Sequence, residues 1–145
     1  MLKRFVQIAA MTVMLAVPGA AQADAARLVI VVEGLRSADG VVDIALFDGP
    51  DNFLDSDKRI GGGKAVIKDG AAVIEIDNLP PGKYAAAFYH DENANGDFDQ
   101  GLLGIPLEGY GFTNNARALF SAPSFEEAAL TIEQGSNETR ARIQY

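Results

Sequence analysis

Apolar and polar positions along the chain fall into short runs broken by turn residues, with little of the longer period of amphipathic helices. Residues 28–32 (L-V-I-V-V) are continuously apolar and largely β-branched, and Glu33-Gly34 ends the run, as expected of a buried strand. Ala38-Asp39-Gly40 signals a turn, and residues 41–47 form a second strand, so the spacing predicts a hairpin of the two. Residues 48–56 are turn-rich, anchored by Phe53 and Leu54, with Asp51 placed to cap one helical turn. Ile60-Gly61-Gly62-Gly63 reads as a flexible connection. Residues 64–68 and 71–77 flank Asp69-Gly70, a two-residue hairpin turn. In the second of these, Val73, Glu75 and Asp77 alternate with Ile74 and Ile76, which predicts one wet face.

Asn78-Leu79-Pro80-Pro81-Gly82 is a hard turn, because neither proline can donate to a sheet ladder. Residues 83–89 (K-Y-A-A-A-F-Y) follow. Alanine alone favours a helix. Seven residues with three aromatics, set between a turn and a polar loop, predict a strand instead. Tyr84 stands where a tyrosine corner would bond its hydroxyl back to nearby backbone. Residues 101–124 are irregular and rich in Gly, Pro and Asn, and loops of that length are usually functional or disordered. Their aromatics Tyr110, Phe112 and Phe120 predict that the segment packs. Ser124-Phe125-Glu126-Glu127 is set to cap a short helical turn. Residues 128–133 and 139–145 alternate around Gly135-Ser136-Asn137 and predict a closing hairpin. The expectation is an all-β fold, an antiparallel β-sandwich of about seven strands with a long irregular loop region after strand five. There is no internal repeat and no domain boundary.

Composition adds a compartment. Lys3 and Arg4, an apolar run over 5–17 and Ala21-Gln22-Ala23 have the order of a signal peptide over residues 1–23, cut near Ala23. Residues 24–145 would then be a single periplasmic or secreted domain, and losing two positive charges takes the net charge from −8 to −10. No later segment approaches the roughly 20 apolar residues of a membrane span, so stable membrane insertion is not expected. The chain has no Cys and therefore no disulfide framework, leaving its core or a metal to hold it. An acidic balance argues against nucleic acid or an anionic membrane as a partner.

One stretch carries candidate chemistry. Asp91, Asn93, Asn95, Asp97 and Asp99 place an oxygen at every second residue, and Gly96 interrupts them where the backbone needs a positive φ. Ca²⁺ takes six to eight oxygen ligands, and a tight loop supplies them from alternate positions. The match to an EF-hand loop fails at position 12, which is Leu102, and Glu108 is the candidate replacement. The predicted cofactor is weakly held Ca²⁺. His90 is the single histidine, so any His-dependent catalysis must run through it. A zinc site of His and Cys ligands is excluded by count, and Ile60-Gly61-Gly62-Gly63-Lys64-Ala65 lacks the spacing and hydroxyl of a phosphate loop.

The stretches L-P-P-G-K-Y (79–84), H-D-E-N-A-N-G-D-F-D (90–99), G-I-P-L-E-G-Y-G-F (104–112), N-N-A (114–116) and P-S-F-E-E-A (123–128) resemble the bacterial domain of unknown function 2141. That resemblance implies a prealbumin-like or immunoglobulin-like sandwich and assigns no activity. The L-P-P-G-x-Y element is also similar to B-type repeats of surface adhesins and the transthyretin-like domain of carboxypeptidases. Some of those repeats hold calcium on a comparable loop. The leading expectation is a non-enzymatic binding or structural module with a calcium loop at 91–99. Two alternatives stand beside it. One is an enzyme acting on a small envelope substrate through His90 and neighbouring carboxylates. The other is a peptide or glycan recognition module using the 104–116 segment, with His90, Tyr110, Phe112, Asn114 and Asn115 facing the ligand.

Overall fold

The computed structural model describes residues 25–145; the leader expected at 1–23 lies outside the described residues. These residues form eight strands, one short α-helix and three single 3-10 turns (Ser56–Lys58, Leu102–Gly104 and Thr113–Asn115): β1 (Ala26–Glu33), β2 (Val41–Phe47), β3 (Gly61–Lys68), β4 (Ala71–Leu79), β5 (Gly82–Asp91), β6 (Tyr110–Phe112), α1 (Phe125–Ala128), β7 (Leu130–Ile132) and β8 (Gly135–Arg142). The fold is all-β, as the turn spacing predicted. Its strands join in one sheet in the order β6-β5-β2-β3-β4-β1-β8, with β7 added on β5, and the sheet curls into a half-barrel.

Three expectations about pairing need correction. The sheet is mixed, because β8 runs parallel to β1 from Ala26↔Gly135 to Glu33↔Arg142. β1 and β2 do not pair as a hairpin; β1 lies between β4 and β8, and β2 between β3 and β5. Nor do β7 and β8 pair, since β7 lies on β5 through Tyr84↔Leu130. Hydrophobic pattern fixes which face a strand buries, whereas the choice of partner is non-local and leaves no local trace.

The glycine run is also strand rather than connection. Gly61, Gly62 and Gly63 pair with Leu46, Ala45 and Ile44. Gly62 has φ +113, and a Cβ there would stand 2.0 Å from the Ile44 carbonyl oxygen, so the close approach requires glycine. Beyond this run β3 pairs with β4 through Ile67↔Ala72 and Lys68↔Ala71, around the predicted Asp69-Gly70 turn. One strand thereby serves both halves of the sheet. Tyr110 and Gln144 exchange two backbone hydrogen bonds of 2.9 and 2.8 Å, which tie the two ends of the strand path together.

Alternation divides the residues between two apolar layers. Leu28, Ile30, Val32, Val42, Ile44, Leu46, Ala86 and Phe88 fill the inside of the curl. Phe47, Ala85, Phe112, Ala116, Phe125 and Ala128 form a second cluster on the outer face of β2, β5 and β6. Tyr84 is buried, and its hydroxyl donates to the Pro80 carbonyl at 2.6 Å, as a tyrosine corner requires.

Candidate functional site: an apolar cleft beside the acidic loop

The alanine run of β5 splits between the two layers. Ala86 points inward, while Ala85 and Ala87 point outward. Ala87 pairs across the sheet with Ala45 on one side and Phe112 on the other. Two small side chains abreast leave a hollow in an otherwise aromatic face. The result is a half-open cleft of about 630 Å³, floored by Ala45 and Ala87 and walled by Phe47, Tyr89, Tyr110 and Phe112. Phe98 from the acidic loop and Leu119-Phe120 complete its sides. Its rings form a continuous series, Tyr89–Phe98, Phe98–Tyr110 and Tyr110–Phe112, with centroids 5.4, 5.9 and 6.1 Å apart. Such spacings favour edge-to-face packing. Asp43 is the one charged residue among the described lining, and its carboxylate lies 3.5 Å from Arg59 Nη1.

The G-Y-G-F motif is explained by the same face. Tyr110 and Phe112 line the cleft, and Gly111 between them faces inward. A Cβ there would meet the Phe88 ring at 2.6 Å and the Arg142 carbonyl at 2.7 Å.

The acidic loop forms one wall and satisfies itself. Asp91 is fully buried; its Oδ1 accepts the Asn95 amide at 3.0 Å and its Oδ2 the Gly96 amide at 2.9 Å. Asn93 Oδ1 accepts from Asn95 N, and Asn95 Oδ1 from Asp97 N. The side-chain amides of Asn93 and Asn95 donate to the Asp99 carboxylate at 2.7 to 3.2 Å. Gly96 takes the positive φ expected of it, +85. Lys64 Nζ lies 3.4 Å from Asp91 Oδ2. Tyr89 donates its hydroxyl to the Gly96 carbonyl at 3.1 Å, joining loop to cleft. Burial, with Asp43 and Asp91 nearby, pushes that phenol up to about 12.

Asp91, Asn93, Asn95 and Asp99 are therefore brought together, and Asp97 joins them through its backbone amide. Glu108 is nearly buried, but both its oxygens accept loop amides, from Glu92 at 3.2 Å and Asp99 at 3.1 Å. It staples the base of the loop. Among the described residues no group of three or more His, Cys, Asp or Glu is gathered to hold a metal ion. A cation here would rest on the two aspartates and the asparagine amide oxygens, and would displace the Asn–Asp99 hydrogen bonds.

His90 lies on the opposite, inner side. It is fully buried; Nε2 is 2.7 Å from the Asp39 carbonyl and Nδ1 2.6 Å from the Tyr145 hydroxyl. A carbonyl only accepts, so Nε2 carries the proton, and in the neutral ring Nδ1 accepts from Tyr145. Arg36 lies over the Tyr145 ring, 4.4 Å from its centroid, and its Nε donates to Glu92 at 2.7 Å. That hydrogen bond holds the Glu92 carboxyl below the usual range.

Of the residues expected to face a ligand, Tyr110 and Phe112 line the cleft, while His90, Asn114 and Asn115 do not. Asn114 Nδ2 donates to the Glu127 carbonyl and Asn115 Oδ1 accepts from Arg142 N, both at 2.9 Å and both from left-handed backbone. Thr113 carries no local signal that marks it in advance. Its buried hydroxyl donates to the Ala128 carbonyl at 2.7 Å and accepts the Ala86 amide at 2.9 Å, fixing α1 and the 113–115 turn to β5. The Ala45–Ala87 floor was equally unmarked, although the alanines themselves were the clue.

Fold and site together define a small all-β domain with a half-open apolar cleft. Residues 30–140 match the model of a family described as an uncharacterized protein conserved in bacteria (DUF2141), and the chain belongs to that family. No curated protein matches the chain, and no solved structure does.

Proposed function

We propose that the protein is an exported, non-enzymatic binding module whose cleft takes a small apolar ligand, with the 91–99 loop as a preformed wall. The observation that carries this reading is the Ala45–Ala87 floor beneath aromatic walls. A volume of about 630 Å³ suits a small-molecule site, and such sites are mostly apolar with few polar groups. The lining is mainly apolar, with Ser56, Gln100 and Ser121 as neutral polar groups and Asp43 held against Arg59, which favours an apolar ligand over a glycan. His90 is structural in this reading, both ring nitrogens being committed. Export rests on the charged–apolar–A-x-A order of residues 1–23. We propose further that the curled sheet is a variant of the immunoglobulin-like or prealbumin-like sandwich, a reading supported by the single inner core shared by β1 and β2.

A titration with the neutral fluorophore 1-N-phenylnaphthylamine tests the cleft. Wild type should give saturable binding at one site, and Ala87→Leu, which fills the floor, should weaken it at least tenfold at unchanged melting temperature. Equal binding by the two proteins would remove the cleft from the account.

A second reading concerns the loop. We propose that Asp91, Asn93, Asn95 and Asp99 hold Ca²⁺ through side chains and Asp97 through its carbonyl. Dissociation would be on the order of 10⁻⁴–10⁻³ M, as in extracellular modules. The gathering of the Asp91, Asn93, Asn95 and Asp99 side chains around one turn supports it, with the Asn–Asp99 hydrogen bonds giving way to the ion. The loop would then stiffen, and Phe98 with it.

A further inference from the structure

Six large apolar side chains stand out at the mouth of the cleft, on two loops. Leu102, Leu103, Ile105 and Leu107 lie on the first, and Leu119 and Phe120 on the second, with exposures from 60% at Leu107 to 105% at Phe120. Gly104 and Pro106 of the first loop and Leu119 and Phe120 of the second line the same cleft, so both loops belong to one rim. The first loop is a closed structure. Gly101 N donates to the Ile105 carbonyl at 2.7 Å, Gln100 bridges Pro106, and Leu103 takes φ +63. A leucine held in left-handed backbone at the tip is costly and is turned outward. Charge on the rim departs from the rest of the molecule. In a chain of net charge −8, residues 100–107 carry no charge and residues 117–123 carry only Arg117.

We infer that this rim seats in the interface of a phospholipid bilayer, and that the cleft takes a lipid acyl chain from it. The inference rests on the cleft reading above and names its ligand. A ligand arriving through water would need no apolar surface outside the cleft. A ligand drawn from a membrane needs a rim that displaces headgroup water, and exposed apolar patches of this kind mark such surfaces. Freedom from acidic side chains lets the rim approach phosphate headgroups, and Arg117, the single charge in residues 117–123, has the sign that suits them. The acidic remainder disfavours flat adsorption on anionic lipid, so contact is confined to the loops.

The chain has no tryptophan, so a single indole reports locally. Leu103→Trp is mixed with phosphatidylcholine vesicles whose acyl chains are brominated. Its emission should shift to the blue and be quenched at least twofold, and Phe120→Asp added to it should abolish both effects. Val73→Trp, on a separate surface hollow, should respond to neither. The N-terminal segment is identical in every variant, so the difference reports the loops. If the Leu103→Trp emission ignores the vesicles while 1-N-phenylnaphthylamine still enters the cleft, the membrane inference falls and the cleft reading stands. If the fluorophore also fails to bind, both fall.

Discussion

Asp91 is buried with both oxygens committed to the amides of Asn95 and Gly96, so Asp91→Ala leaves the Gly96 amide without its acceptor and the Asn95 amide on Asn93 Oδ1 alone. Hydrogen bonds to a charged group contribute about 1.5–3 kcal/mol each, and orphaned donors add to the loss. Urea unfolding should show Asp91→Ala destabilised by about 3 kcal/mol, against less than about 0.5 kcal/mol for the exposed Asp97→Ala. Glu92 sets a pH dependence. Its folded carboxyl lies below its ordinary value of 4.5, because Arg36 donates to it. The unfolded chain therefore takes up the proton first on acidification. The stabilisation is present above about pH 4.5 and is lost as pH falls through the folded value. Arg36→Ala should flatten the fall in melting temperature below pH 4.5, and an unchanged fall would contradict the pairing. At the alkaline end, Tyr89 is pushed up to about 12, so the unfolded phenol ionises first and its contribution disappears between pH 10 and 12. Tyr89→Phe should make melting less sensitive to pH across that window.

Gly62 and Gly70 separate strain from collision at the level of the strand. Both have positive φ, but a Cβ meets a carbonyl oxygen at 2.0 Å in Gly62 and nothing within 4 Å in Gly70. Gly70→Ala should cost about 1 kcal/mol from backbone strain alone. Gly62→Ala should cost about 3 kcal/mol or more and open the β2–β3 ladder, which amide exchange on residues 44–46 would register. Equal costs would mean that β3 shifts freely. Most strands were legible in the sequence, because apolar runs and turn residues are local signals, but the glycine start of β3, the three residues of β6 inside the segment expected to be irregular, and the 135–138 start of β8 were not. The Asp69-Gly70 turn, the Tyr84 corner and the Ser124 capping box are all formed. What could not be read was pairing, since β8 reaches β1 across about a hundred residues. The acidic loop was legible for the same local reason. The cleft was not, being assembled from β2, β5, β6 and two loops, with its floor marked only by the absence of side chain.

The whole molecule places its acidic loop, cleft and apolar rim at one end of the same sheet face, so changes at the loop should be felt throughout the domain. If the loop takes calcium, folding is favoured by RT ln(1 + [L]/Kd), about 1.4 kcal/mol at ten times Kd. That raises the melting temperature by roughly 3–7 °C for a domain of this size. Magnesium should do less, because it holds its waters and demands a tighter octahedron. Equal melting in chelator and in several millimolar calcium would leave the loop as a self-satisfied wall. The cleft itself is tested most directly by alanine-methyl NMR during addition of 1-N-phenylnaphthylamine. The methyls of Ala45 and Ala87 should shift progressively while those of Ala72 and Ala141, sealed in the inner core, stay in place. Stationary Ala45 and Ala87 methyls at saturating fluorophore, or shifts spread evenly over all four, would contradict it.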